Sequence, residues 1–152
     1  MTDSQDTGFL DGLRVLEIGL GVSAPYAALN FAKLGAEVIK LEPLEGDPSR
    51  THGPFPNGIK HKEKSGLFLA YNHGKKSICL DLNISQDRDK FESMLPHFDL
   101  VIENQNLGFF NDRRLGYKKI SSINPSLIWV SILPFGEVGP YSQYVADDLV
   151  LF

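Results

Sequence analysis

Apolar and polar positions alternate between residues 10 and 50 in a pattern that predicts a strand, a tight turn, a helix and a second strand. The segment 14–18 (RVLEI) is rich in branched apolar residues, which is typical of a buried parallel strand. Two glycines then allow a sharp turn, and Ser23 is placed to cap the following helix, which ends at Gly35. A second apolar strand follows at 38–41. Together these elements predict a βαβ unit whose first loop lies where open α/β sheets bind ligands.

The same patterns continue along the rest of the chain. Further strands are predicted at 77–82, 100–103 and 127–133, and further helices at 65–71, 85–95 (capped by Ser85), 117–123 and from 147 onward. Residues 43–64 are rich in glycine, proline and charge and are predicted to form a long loop. Strands that alternate with helices predict an α/β fold, a Rossmann-like parallel sheet with flanking helices.

Composition and charge exclude several classes of function. The 152 residues are enough for one domain with a real core. The net charge of -4 and the pI near 5.5 provide no basic footprint, so no nucleic-acid partner is expected. A single cysteine excludes an internal disulfide and a cysteine-cluster metal site, and the four histidines have no metal-ligand spacing. Cys79 lies in an apolar strand and is predicted to be a buried, inert thiol.

The two ends of the sequence differ from the middle. Residues 1–9 are polar and acidic, unlike a signal peptide, and are predicted to be disordered, so that 10–152 form the domain. No apolar run approaches the roughly 20 residues that span a membrane, so no membrane association and a cytoplasmic location are expected. The sequence stops in an apolar run at 149–152, which favours a fragment of a longer protein.

The first loop on its own fits more than one family. The residues from Glu17 to Ser23 (EIGLGVS) are similar to the first loop of a methyltransferase that uses S-adenosylmethionine. In that hypothesis Glu42, at the end of the second strand, would hold the ribose hydroxyls. The motif is weak, because its third glycine is a serine and glycine-rich turns after strands are common.

A longer series of blocks is more specific and resembles the family III coenzyme A transferases. That group includes formyl-CoA and carnitine-CoA transferases and the α-methylacyl-CoA racemases. The blocks occur in the family's order at 10–17, 24–25, 34–43, 46–50, 71–82, 99–104, 115–117, 124–128 and 135–141. They cover nearly all of the chain from Leu10, whereas the methyltransferase pattern explains only the first block.

The resemblance implies a fold, an activity and partners. The chain would be the incomplete N-terminal part of the family fold, a Rossmann-like coenzyme A-binding domain. The full enzyme would move coenzyme A between an acyl-CoA and a carboxylic acid, as a homodimer and without a metal or prosthetic group. Two alternatives stay open here: a methyltransferase fragment, and a stand-alone nucleotide-binding or vestigial module without enzyme activity.

The resemblance also implies candidate contacts to coenzyme A. They are Val22, Ser23, Ala24, Lys76, Leu80, Asn83, Asn104, Arg113 and Arg114. Leu80 and Asn83 match positions at the adenine end, and Arg113 or Arg114 falls near an arginine that pairs with phosphate. The sequence departs from the family where Asn83 replaces a lysine and where Gln105 and the residues after it replace an aromatic and a basic residue. Weak binding of coenzyme A is therefore expected.

The catalytic block is only partly present. Asp147 stands where the racemases have a catalytic histidine, which argues against racemisation. Asp148 is a candidate active-site residue, with capping of the last predicted helix as its alternative role. In the transferases an aspartate attacks the acyl-CoA thioester, and the resemblance places this nucleophile roughly thirty residues beyond Asp148, outside this sequence. The chain alone is therefore expected to be inactive.

Overall fold

The structure is a computed structural model that describes residues 8–146, and five parallel strands form its single sheet. The strands are β1 (Arg14–Ile18), β2 (Glu37–Glu42), β3 (Lys76–Cys79), β4 (Leu100–Glu103) and β5 (Ile128–Ser131). The helices are α1 (Ser23–Lys33), α2 (Gly66–Asn72), α3 (Ser85–Met94), α4 (Phe109–Asp112) and α5 (Tyr117–Ile123). Short 3-10 turns lie at Pro48–Thr51, Pro56–Gly58, Lys62–Lys64 and Leu95–His97.

In the strand order β3-β2-β1-β4-β5, the neighbouring strands β1 and β4 are far apart in sequence. Val15 of β1 is in register with Val38 of β2 on one side and with Leu100 of β4 on the other. The strands β2 and β3 therefore follow β1 on one side of the sheet, and β4 and β5 follow it on the other. The gap between β1 and β4 at their carboxyl ends is the point where parallel sheets of this kind bind ligands.

Two hydrophobic layers cover the two faces of the sheet. On one face, Val15 and Val38 pack against Ala24 and Ala28 of α1. The other face carries a larger cluster under α3, α4 and α5, whose centre is Phe91 with no exposed surface. Because side chains alternate along a strand, Glu17 and Lys40 lie on the α1 face, among these apolar residues.

The α/β fold predicted from the sequence is confirmed, and β1, β4 and α5 have the predicted bounds. The predicted serine caps are wrong: α1 and α3 begin at Ser23 and Ser85, and neither serine caps its helix through its side chain. The prediction that Cys79 is buried is also wrong, since β3 is an edge strand and leaves the thiol exposed. The helix α4 was not predicted, because four residues are too few for a periodic pattern.

The ends of the chain are covered only in part. Gly8 and Phe9, from the segment predicted to be disordered, lead into a turn before β1, and residues 1–7 lie outside the described part. The helix predicted from Asp147, and Asp148 with it, also lies outside the described residues. Within residues 8–146, every helix is too short or too polar to cross a bilayer.

Candidate functional site

The first loop, residues 19–22, joins the carboxyl end of β1 to the start of α1. A Cβ on Gly19 would lie 2.4 Å from the Cβ of Ala24, so only glycine lets the loop pass this close to the helix. Gly21 has a φ of 73°, a conformation that other residues rarely adopt. The two glycines therefore set a turn that places the amino end of α1 directly above the sheet edge.

Asn104, the first residue after β4, fixes this loop from the opposite side of the gap. Its Oδ1 accepts the Leu20 N–H at 2.8 Å, and its Nδ2 donates to the Leu20 carbonyl and to Ser23 Oγ, each at 2.8 Å. The carboxamide thus uses its groups on protein atoms and connects the first loop to the end of β4. The hydroxyl of Ser23, expected to cap α1, accepts a bond from Asn104 instead.

The amino end of α1 is open for a ligand. Among the described residues, the N–H groups of Val22, Ser23 and Ala24 have no protein acceptor. Val22 and Ser23 are exposed, whereas Ala24 is fully buried and contributes only backbone. Free amides at a helix amino terminus attract anions, including phosphate groups.

A cavity of about 120 Å³ lies beside this loop, at the carboxyl ends of β1, β2 and β3. Its apolar walls include Ile18, Leu41 and Leu80, and its polar rim includes Asn83 and Arg113. The side chain of Asn83 donates to Asp81 Oδ1 at 2.8 Å. The cavity can take one flat ring system, but it is smaller than the pockets that enclose a whole cofactor. It brings together three of the residues predicted from the sequence.

The two adjacent arginines have different positions. Arg113 lines the cavity, stacks with its guanidinium carbon 3.8 Å from the ring centre of Phe109, and donates to the Phe109 carbonyl at 2.9 Å. Its buried Nε has no hydrogen-bond partner within the described residues. Arg114 is exposed in a turn with a φ of 61° and does not line the cavity.

Lys76 does not join the other predicted residues. It begins β3, so it lies at the amino edge of the sheet, opposite the first loop, and its Nζ is 2.6 Å from Glu37 Oε1. The predicted phosphate contact is therefore not supported by the geometry. The side chain of the preceding lysine, Lys75, is 1% exposed and contacts the β1–α1 region.

Glu42 is occupied by protein partners, which removes it as a ligand for ribose. Arg50 donates to both carboxylate oxygens at 2.8 Å, and Ser77 Oγ and the Asp47 N–H bond the same group. Burial raises the pKa of Glu42, but the bonds from Arg50, Ser77 and the Asp47 N–H outweigh it and bring the pKa to about 2. Arg50 in turn lies 3.6 Å above the Phe68 ring. This closed arrangement fixes the loop after β2.

Gln105 is a site residue that the sequence comparison treated only as a departure from the family. Its Nε2 donates to the Ile18 carbonyl at 2.7 Å, so it fastens β4 to the end of β1. It also lines the 120 Å³ cavity and a neighbouring cavity of about 450 Å³, which Ser23 and Asn104 share. Its position directly after Asn104 was the available signal.

A larger cavity, of about 640 Å³, lies between the loop after β4, α4 and β5, and is lined by none of the site residues predicted from the sequence. We place the site at the first loop instead, because the loop, Asn104 and the smaller cavity meet at the reversal of strand order. Among residues 8–146, no group of three or more histidine, cysteine or acidic side chains could hold a metal ion.

Comparison with known proteins agrees with this fold. The family model for CoA-transferase family III matches residues 10–152. Succinyl-CoA:mesaconate CoA-transferase of Haloarcula hispanica is 37% identical over 130 residues, which are 86% of this chain and 33% of that protein. Acetyl-CoA:oxalate CoA-transferase of Acetobacter aceti is 34% identical over 151 residues, which are 99% of this chain and 38% of that protein.

A solved structure, a CAIB/BAIF family protein from Brucella suis, superposes with a TM-score of 0.85 at 36% identity over 95% of this chain and 38% of that one. The chain thus spans about a third of the length of the relatives it matches. The methyltransferase interpretation finds no support in these matches, and Glu42 cannot play the part it requires. The match of one family model to 143 consecutive residues, with a related structure of the same fold, shows that the chain belongs to CoA-transferase family III.

Proposed function

We propose that this chain carries the N-terminal part of the coenzyme A site of a transferase that moves coenzyme A between an acyl-CoA and a carboxylic acid. The observation that carries the proposal is the meeting of three features at one edge of the sheet. These are the open amides at the start of α1, the Asn104 contacts that hold the first loop, and the cavity beside Leu80. Backbone amides that can bind an anion, beside a small apolar cavity, match the phosphate and adenine parts of coenzyme A.

In this arrangement the diphosphate of coenzyme A binds the N–H groups of Val22 and Ser23 at the amino end of α1. The adenine ring enters the cavity beside Leu80, where the Asn83 carboxamide supplies a polar contact and Arg113 forms part of the wall. The thioester end extends past Asn104 into the 450 Å³ cavity. Asn83 provides no positive charge, so its contribution to affinity is small.

The chemistry of the whole protein needs residues outside this sequence. By family resemblance, a carboxylate attacks the thioester carbonyl, a mixed anhydride forms and coenzyme A leaves as the thiolate. The relatives named above act on succinyl-CoA with mesaconate and on acetyl-CoA with oxalate, so we propose a short-chain acyl-CoA and a small organic acid as substrates. A homodimer is proposed for the full-length protein on the same grounds, and the cytoplasmic location stays a prediction.

Ligand titration by calorimetry tests the proposal. Chain 1–152 should bind coenzyme A more tightly than S-adenosylmethionine, and should show no exchange of thioesters between acyl-CoA donors and carboxylic acids. Binding of S-adenosylmethionine alone would refute the assignment. Turnover well above background would show that the chain supplies its own nucleophile.

A matched pair of variants locates the site. Asn104→Ala removes three bonds to the first loop and should weaken coenzyme A binding about tenfold, which corresponds to about 1.4 kcal/mol. Gln86→Ala changes an exposed carboxamide in α3, outside the cavities of the site, and should leave binding unchanged. Equal effects of the two variants would mean that the ligand does not depend on the first loop.

A further inference from the structure

We infer that a buried cluster of four charges, formed by Glu17, Lys40, Asp47 and Lys75, positions the first loop. Its effect on coenzyme A rests on the function proposed above. These residues are positioning groups, because they are enclosed by protein and act through the backbone of residues 19–25. They bring β1, β2, the loop after β2 and the start of β3 to one point under that loop.

The cluster is closed and balanced in charge. Lys40 Nζ lies 2.6 Å from Glu17 Oε1 and 2.9 Å from Asp47 Oδ2, and Lys75 Nζ lies 2.6 Å from Glu17 Oε2. All four side chains are at most 1% exposed. Two carboxylates thus face two ammonium groups with no water surface. Burial lowers the pKa of Lys75; burial raises the pKa of Asp47, but Lys40 and Ser49 outweigh it and leave that pKa below its usual range.

Three members of the cluster also bond the first loop or the start of α1, in addition to bonds between Asp47 and Ser49 and between Lys75 and Asn72. Lys40 Nζ donates to the Gly19 carbonyl at 2.6 Å, and Asp47 Oδ1 accepts the Gly21 N–H at 3.1 Å. Lys75 Nζ donates to the Pro25 carbonyl at 2.8 Å. Lys40 donates to Glu17 Oε1 and to the Gly19 carbonyl, and its contact with Asp47 Oδ2 is an ion pair.

The contacts explain why the loop keeps its free amides aimed outward. Asn104 holds the Leu20 N–H and carbonyl from the β4 side, while the cluster holds Gly19 and Gly21 from the β2 side. Successive residues of the turn are therefore fixed from two directions. The next N–H groups, those of Val22 and Ser23, have no protein acceptor within residues 8–146. Backbone donors fixed in advance bind an anion without having to be ordered first.

The test uses double variants that keep the cluster neutral, so that no unpaired charge is left inside. Lys40→Met with Asp47→Ala removes both contacts to the loop and leaves the Glu17–Lys75 pair intact. Lys40→Met with Asp47→Asn is the conservative partner, because the amide oxygen can still accept the Gly21 N–H. Asn124→Ala is the control: on the other face of the sheet it loses buried bonds to the carbonyls of Leu95 and Phe98, and two bonds from Ser126.

Two measurements are made on the full 152-residue chain. Amide hydrogen exchange without ligand should show Gly21 exchanging about tenfold faster, relative to the core amides of the same variant, in the alanine double variant. The asparagine double variant should restore most of this protection, and Asn124→Ala should change Gly21 only as much as the core. The dissociation constant for coenzyme A should follow the same order.

The outcomes separate the two proposals. Equal Gly21 protection in the alanine and asparagine variants, or an equal effect of Asn124→Ala, would refute the positioning role. Altered Gly21 exchange in a chain whose native form does not bind coenzyme A would support the positioning of the loop and refute the proposed function. Altered exchange with unchanged affinity would show that the cluster orders the loop but not the site.

Discussion

Glu42 should make the stability of this chain strongly dependent on acid. Its carboxylate is 1% exposed and accepts bonds from Arg50, from Ser77 and from the Asp47 N–H. Against a usual pKa of 4.5, the folded pKa of about 2 corresponds to about 3 kcal/mol of stability. Because the folded pKa is the lower one, this contribution is complete above pH 4.5 and is lost as the pH falls toward 2. About 2 kcal/mol of it should be gone at pH 3.

The assay is urea unfolding of the native chain and of Glu42→Gln at several pH values between 7 and 3. At pH 7 the variant should be less stable by about 3 kcal/mol, and the difference should shrink to roughly 1 kcal/mol at pH 3. The amide mimics a protonated carboxyl, so the two proteins become alike as Glu42 takes up its proton. Glu37→Gln is the control, since that carboxylate is at the surface beside Lys76 and should give a much smaller pH-dependent difference. A gap between the native chain and Glu42→Gln that stays constant from pH 7 to 3 would refute the reasoning.

Two other predictions follow from burial and exposure. Lys75→Met leaves the cluster with an unpaired negative charge and should lower the free energy of unfolding by about 3–5 kcal/mol. The adjacent but exposed Lys76→Met should lower it by less than about 1 kcal/mol. Urea unfolding measures both variants, and similar losses would contradict the assignment. Ile128 and Val130 are 61% and 41% exposed on the edge strand β5, so the chain should self-associate, and replacing both with threonine should raise the monomer fraction in size-exclusion chromatography with light scattering. A native chain that is already monomeric would contradict the predicted self-association.

The sequence predicts the sheet well because its signals are local. The apolar runs at β1 and β4 and the turn glycines specify strand, loop and helix without reference to distant residues. The prediction of serine caps failed because each serine is the first residue of its helix, one position after the cap. The prediction that Cys79 is buried failed because an apolar segment does not indicate whether its strand is central or at an edge. The strand order decides this.

The charged cluster was missed for a different reason. Glu17 and Lys40 each interrupt an apolar strand, and nothing local tells which charge on another strand will face them. The available signal was the opposite sign of two single charges inside strands predicted to be neighbours. Lys75 gave no such signal, because a lysine in a turn before a strand is usually solvated. Its burial follows from the packing of α1 and α2 on the same face of the sheet.

The cluster also shows how stability and site geometry oppose each other in this fold. Buried ion pairs replaced by apolar residues of similar size often leave a protein as stable or more stable. An apolar replacement here would leave the Gly19 carbonyl without the lysine donor it now has. An unpaired buried acceptor costs about 1–3 kcal/mol, and movement of the loop would relieve that cost. Charged side chains at this point thus combine a closed interior with fixed backbone donors, and an apolar core could supply only the first.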